Sequence, residues 1–94
     1  MVKAIVQHHV ADYDRWYPVF TEHGEVRRKY GATGHSVNRA VDDPNTIVII
    51  NDFATLEGAR SFATDPSLPD VMHRAGVDSA PNVWIVDEAE AEVY

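Results

Sequence analysis

The sequence predicts a single α+β domain of the ferredoxin-like type, with element order β-α-β-β-α-β and helices covering one face of a four-stranded antiparallel sheet. Residues 3–10 and 46–53 have the composition and alternation of strands. Apolar residues recur at helical spacing after the first and third predicted strands. The 94 residues suit one domain, which we expect over residues 1–94 with an acidic tail from about residue 88.

The first half of the chain predicts a strand, a helix and a second strand. In residues 3–10 alternate side chains form two faces, and the face that carries His8 is the more apolar. Asp12 or Asp14 can cap the helical region that follows. Helical spacing predicts a helix from Tyr17 to Tyr30, with Pro18 in its first turn and Gly31 at its end. A more polar strand is predicted over residues 34–43.

The second half predicts a hairpin, two short helices and a last strand. Residues 42–45 read Asp-Asp-Pro-Asn, which is turn chemistry. The strand at 46–53 is apolar on both sides and therefore needs cover on both sides. Thr55 caps a helix over 56–64, Asp65-Pro66 ends it, and a short helix over 67–76 precedes a strand over 81–88.

Charge and composition restrict the classes of partner. Eight basic against fifteen acidic residues give a net charge of -7, which disfavours nucleic acid and anionic membrane surfaces. The chain has no cysteine, so thiolate metal sites and disulfides are excluded. Met1 leads directly into a strand and no long apolar run is present, so we expect a cytoplasmic protein.

One face of the predicted sheet lacks cover within a single chain. It carries Ile5 together with one side of the strand at 46–53, and it is too apolar to remain in contact with water. A small domain also gains from a second subunit, because alone it buries a modest fraction of its surface. We therefore predict a homodimer in which two sheets pack face to face.

Three segments carry a resemblance to a known family: HHVADYDRWYPVFTEH, GATGHSVNRAVDDPN and DPSLPDVMHRAGV, in this order and spacing. They resemble the small dimeric α/β-barrel proteins related to antibiotic biosynthesis monooxygenases, some of which are described as cyclase-like. The resemblance covers roughly Val2 to Glu88. It implies a ferredoxin-like fold, a homodimer and a ligand pocket between sheet and helices. It also implies cofactor-independent oxygenation, cyclisation or isomerisation, although the superfamily includes haem-dependent enzymes and members of no known activity.

Two histidines are the candidate catalytic residues. His8 and His9 point to opposite sheet faces because a strand alternates, so they cannot together chelate one ion. His8 is expected to face the helices, and His9 the dimer side or the rim. His23 lies on the inward stripe of the first helix and can approach His8. Two buried, neutral imidazoles can act as base and hydrogen-bond donor; alternatively, they merely satisfy each other or the backbone.

A metal site would need a third ligand. His73 is the one histidine in the second helical region, at the margin of its inward stripe, so a His8–His23–His73 zinc or copper site with an open position is a further hypothesis. No sequence spacing supports it, and a rim position is the simpler interpretation of His73. His35, at the start of a strand, has the weakest claim to a functional role.

Bulky side chains give the remaining signal for a pocket. Trp16, Phe20 and Trp84 can wall a cavity for a flat ligand, although such stripes more often form core, and the sheet face of Trp84 is not decided by alternation. Tyr17 lies near the helix entrance, and Met72 on the inward stripe of the last helix.

The favoured interpretation is a cofactor-free pocket protein for a small apolar, aromatic or polyketide-like molecule. If it is an enzyme, the resemblance implies a monooxygenase or a cyclase or isomerase. The sequence contains no nucleotide-binding, hydrolase or zinc-protease motif. Two alternatives remain open: a non-catalytic ligand-binding or stress-related accessory protein, and a metal- or haem-binding protein that uses the histidines.

Overall fold

A computed structural model describes residues 1–94, and it confirms the predicted ferredoxin-like α+β fold. The sheet is antiparallel with strand order β2-β3-β1-β4, and the helices lie on one face. The elements, in chain order, are β1 (Val2–His9), α1 (Tyr13–Glu22), α2 (Gly24–Lys29), β2 (Ala32–Arg39), β3 (Thr46–Phe53), α3 (Leu56–Ala63), α4 (Leu68–Arg74) and β4 (Asn82–Asp87).

The two central strands alternate as the sequence predicts. Strand β1 buries Ala4, Val6 and His8 under the helices, while the residues between them are partly exposed on the other face. Strand β3 has the same alternation, because residues paired directly across an antiparallel ladder point to the same face. The buried apolar residues form two clusters under the helices: Val6, Val10, Trp16, Ile47, Ile49 and Ala75 in one, and Ala4, Phe53, Ala59 and Phe62 in the other.

The first helical region differs from the prediction of one helix over residues 17–30. It begins earlier, at Tyr13, where the side chain of Asp12 accepts a hydrogen bond from the Asp14 N–H at 3.0 Å. Pro18 therefore lies inside α1 and not in its first turn. The helix breaks at His23, whose φ of -79° and ψ of 1° are not helical, and α2 begins at Gly24. His23 thus stands at a corner between two helices.

Strand β2 also differs from its predicted range of 34–43. It runs from Ala32 to Arg39, because Gly31 turns the chain with a φ of 93° and the hairpin turn begins already at residue 40. The turn has the predicted chemistry: the carboxylate of Asp43 accepts hydrogen bonds from the Thr46 hydroxyl at 2.8 Å and the Asn45 N–H at 3.1 Å. The remaining predicted bounds agree with the structure to within two residues.

The face of the sheet opposite the helices is apolar at its centre, and we call it the open face. Trp84 lies directly across from Ile5 in the β1–β4 ladder, and Ile50 lies across from Ile5 in the β1–β3 ladder. Trp84 is 50% exposed in the single chain. This placement decides the orientation that alternation left open: Trp84 points away from the helices. None of the helices combines the length and the hydropathy needed to cross a membrane.

Candidate functional site

A cavity lies between the helix-covered face of the sheet and the helices, where the two buried clusters meet. It has an inner chamber of about 60 Å³. An outer chamber of about 520 Å³ adjoins it toward β4. The inner chamber is lined by nine apolar residues and four polar ones, and the polar residues are His8, His23, Arg27 and Asn51. Both chambers are lined by Val6, Phe62, Leu68 and Met72.

His8 lies in the floor of the inner chamber, as predicted from the alternation of β1. It is 3% exposed, and its ring meets the Trp16 ring edge-on with centroids 5.9 Å apart. Its Nδ1 atom is buried and has no hydrogen-bond partner. Burial lowers the pKa of His8 below the ordinary histidine value, since the charged form loses its hydration. The ring is therefore neutral at pH 7.

His23 borders the same chamber from the corner between α1 and α2. It is 9% exposed, and its Nε2 atom is also buried without a partner. Burial lowers the pKa of His23, and the positive charge of Arg27 lowers it further. The structure thus places both predicted histidines on one cavity. The charge of Arg74 acts on the His23 pKa in the same direction as that of Arg27 and the charge of Asp65 in the opposite one, whereas no neighbouring charge contributes to the shift of His8.

Asn51, which the sequence analysis did not single out, is the third polar residue of the chamber. It is 2% exposed on the inward face of β3, and its Nδ2 donates to the Ala4 carbonyl at 3.2 Å. Its Oδ1 has no partner, and together with His8 Nδ1 and His23 Nε2 it completes the set of buried, unpaired side-chain polar atoms in the protein. Such atoms cost free energy when they stay unpaired, and the three residues that carry them all line this cavity, which makes it the candidate ligand site.

Arg27 was also missed from the sequence, and it is the one charged residue of the chamber. It is 5% exposed and takes part in no ion pair. Its guanidinium lies 3.7 Å from the centre of the Phe20 ring. Burial, followed by the charge of Arg28, lowers the pKa of Arg27 to about 10, so it stays charged at neutral pH.

The other predicted ligand-binding residues divide between the cavity and other locations. Trp16 and Phe20 stack with centroids 4.9 Å apart in the inner chamber, and Met72 lines both chambers. Tyr17 is 45% exposed and lines neither chamber; it stacks on Tyr13 on the outer side of α1. The expectation that Trp84 walls the pocket is wrong, because its strand register puts it on the open face.

The hypothetical His8–His23–His73 metal site is not assembled. His73 is exposed on α4 and lines the outer chamber, whereas the other two histidines line the inner one. Nowhere in the structure do three His, Asp or Glu side chains gather closely enough to hold a metal ion. The His35 ring meets the Phe20 ring edge-on, with ring centroids 5.0 Å apart, and it lies beside Arg27. His35 is therefore closer to the cavity than the sequence indicated.

His8 and His9 are expected to titrate on opposite sides of the ordinary histidine pKa of about 6.5. Burial lowers the pKa of His8. His9 lies at the sheet rim, where its Nδ1 is 2.6 Å from a carboxylate oxygen of Asp78, and this hydrogen bond raises its pKa. An NMR titration of the ring resonances measures both midpoints. Two midpoints on the same side of the free-histidine value would contradict the assigned environments.

Comparisons with known proteins identify the fold. No protein-family model matches the sequence, and no curated protein matches it. Solved structures do match over nearly the whole chain. The crystal structure of an antibiotic biosynthesis monooxygenase is 17% identical, with a TM-score of 0.71 over 96% of this chain and 100% of that one. SnoaB from Streptomyces nogalater, a cofactor-independent oxygenase, is 17% identical, with a TM-score of 0.70 over 97% of each chain.

The same fold also occurs in a protein of unknown function from Nitrosomonas europaea. That structure is 15% identical, with a TM-score of 0.72 over 99% of this chain and 93% of that one. The predicted resemblance to antibiotic biosynthesis monooxygenases is therefore confirmed at the level of the fold. Identities this low carry no activity across, because one fold supports many functions. The chemistry of this chain depends on the residues of its cavity.

Proposed function

We propose that this protein binds a small, planar, mostly apolar molecule in its cavity and removes a proton from it, as the first step of a cofactor-free oxygenation. One observation carries the proposal: the three buried, unpaired polar atoms belong to His8, His23 and Asn51, which all line one apolar chamber. A ligand with one polar edge and an apolar body would pair these atoms and displace water from the chamber walls.

The two chambers divide the ligand between them. The inner chamber, at about 60 Å³, has room for a few water molecules, since each needs roughly 10–15 Å³. It suits the reacting edge of a ligand, whereas the outer chamber of about 520 Å³ suits a ring system. Met72 lies between them, and its flexible thioether side chain can move to admit a ligand that spans both.

His8 is the proposed base. Its ring is neutral at pH 7 and its Nδ1 has no partner, and the positive charge of Arg27 lowers the pKa of His23 but not that of His8. His23 then donates a hydrogen bond to the ligand oxygen on which negative charge develops. Asn51 Oδ1 accepts a hydrogen bond from a ligand hydroxyl. The charge of Arg27 stabilises the resulting anion in a chamber of low polarity.

The deprotonated ligand supplies the electrons for the oxygenation. It transfers them to O₂, a carbon–oxygen bond forms, and the peroxide so formed takes up the proton from the histidine. Loss of water then leaves a new carbonyl group, so one oxygen atom enters the product and the other leaves as water. The likeness in fold to SnoaB, described as a cofactor-independent oxygenase, supports this class of reaction.

Anthrone is a suitable probe, because its methylene protons are acidified by the flanking rings and carbonyl, and oxygenation converts it to anthraquinone. We expect saturable O₂ uptake above the rate in buffer, with one O₂ consumed for each quinone formed. Binding of anthrone without added O₂ uptake would contradict catalysis and favour a binding protein. Absence of binding by anthrone and by simple hydroxylated aromatics would contradict the pocket assignment.

The open face supports the proposal of a homodimer, which would bury Ile5, Ile50 and Trp84 between two sheets. Replacement of Trp84 by glutamate is expected to yield a monomer. It removes about 2 kcal/mol of stabilisation from apolar burial per subunit, and it would place a charge inside the interface between the two sheets. Light scattering after gel filtration should give twice the chain mass of 10.5 kDa for the native protein. Tyr17→Glu is the matched control and should stay dimeric. A monomeric native protein would contradict the dimer.

A further inference from the structure

A second, polar cavity lies on the far side of Arg27, between α2 and the start of β2. Its volume is about 140 Å³, and only one of its eight lining residues is apolar. Arg27 and Asn51 line both this polar cavity and the inner chamber, so the two spaces are neighbours across these side chains. The proposed oxygenation does not use the polar cavity. Its other polar walls are Arg28, Thr33 and His35.

The two arginines converge on one point of this cavity. A Cβ placed on Gly24 would stand 3.3 Å from Nη2 of Arg27 and 3.4 Å from Nη1 of Arg28, so both guanidinium groups lie within reach of one small ligand group. No ion pair in the structure includes either arginine. The other arginines of the chain form no ion pair either, and Arg27 differs from them because it is buried.

An unpaired, buried guanidinium is costly. Removing a charge from water is unfavourable even after relaxation, and the cation–π contact with Phe20 recovers only part of this cost. A second guanidinium beside it adds repulsion. An anion placed between the two guanidinium groups would offset the cost of burying Arg27 and would replace their mutual repulsion with attraction. The planar guanidinium group can bind a carboxylate through two parallel hydrogen bonds.

We propose that Arg27 and Arg28 form a carboxylate-binding subsite, so that the ligand of this protein is an aromatic acid. Its rings occupy the apolar chambers and its carboxylate reaches the polar cavity past Asn51, with the His35 ring beside it as a further hydrogen-bond donor. The ring-binding half of this statement rests on the proposed function. The subsite itself rests on the geometry of the two arginines and the cavity they line.

Calorimetric titration with 2-naphthoate and 2-naphthamide tests the subsite, because the two probes share rings and shape and differ in charge. We expect the native protein to bind naphthoate at least about tenfold more tightly than naphthamide, an affinity ratio that falls as salt is added. Arg27→Met should abolish this ratio. Arg28→Gln, at an exposed position that folding tolerates, should reduce the ratio several-fold.

Lys29→Gln is the matched control, since it removes one positive charge from the same helix at a residue outside the cavities. It should keep the full preference for naphthoate. Equal binding of both probes by the native protein would overturn the carboxylate subsite while leaving the apolar pocket intact. Failure of both probes to bind would overturn the subsite together with the proposed function. If Lys29→Gln lost the preference for naphthoate as fully as Arg27→Met, the preference would come from the general positive charge of the helix. That result would also overturn the subsite.

Discussion

The His8→Phe variant is expected to lose about 10²–10⁴-fold of the anthrone-dependent O₂ uptake, the usual contribution of a positioned general base. Phenylalanine resembles histidine in shape and suits a residue that is 3% exposed in an apolar wall, so the fold should survive. The substitution also removes the buried Nδ1 atom that has no hydrogen-bond partner. The free energy of unfolding should therefore decrease only slightly or increase. Steady-state O₂ uptake and urea denaturation measure the two effects.

His9→Phe is the matched control for this variant. It makes the same change one residue later, on the opposite side of the strand and away from both chambers. It breaks the hydrogen bond to Asp78 at the sheet rim, which affects stability and not the cavity. The control should retain its O₂ uptake. Equal loss of activity in both variants would point to a general disturbance of β1 and against a catalytic role for His8.

The Trp16→Ala variant is expected to lose about 3–5 kcal/mol in the free energy of unfolding, the usual cost of removing a buried aromatic side chain. Trp16 is 3% exposed and packs against both His8 and Phe20. Its loss would merge the inner chamber with the vacated space and should also abolish tight ligand binding. Because small domains are stable by about 5–15 kcal/mol, this single change removes a large share of the total.

Tyr17→Ala is the control for Trp16, because the two aromatic residues are neighbours on α1 and differ in burial. Tyr17 is 45% exposed and lines neither chamber, so its removal should cost about 1 kcal/mol or less. Urea denaturation of the two variants gives both values. Similar losses at the two positions would mean that Trp16 does not occupy the buried wall assigned to it.

The sheet faces could be predicted from the sequence because strand periodicity is local. Alternation along β1 placed His8 inward and His9 outward, and the structure agrees. The same rule failed for Trp84, since apolar residues stand on both sides of it in β4. Only the pairing of Trp84 with Ile5 decides its face, and such pairing is a property of the folded sheet.

The polar residues of the cavity were harder to find. Asn51 follows Ile49 and precedes Phe53 at alternate positions of β3, so the periodicity did contain a signal for its burial. Arg27 comes four residues after His23, so its spacing places it on the inward stripe of the helical region. It was passed over because arginine is rarely buried. The glycine that follows His23 was the one feature of the sequence that indicated a helix break there. The angle between α1 and α2 is set by tertiary contacts, which leave no local pattern in the sequence.

Mixing the protein with anthrone in the absence of O₂ tests directly whether the cavity removes a proton from its ligand. Without O₂ the reaction stops at the deprotonated ligand, whose absorption band differs from that of neutral anthrone. The proposed role of His8 predicts that this band appears saturably at pH 7 with the native protein and with His9→Phe, and is absent with His8→Phe. Two results would contradict the role of His8. In the first, anthrone binds and quenches tryptophan fluorescence but stays neutral. In the second, His8→Phe deprotonates anthrone as well as the native protein does.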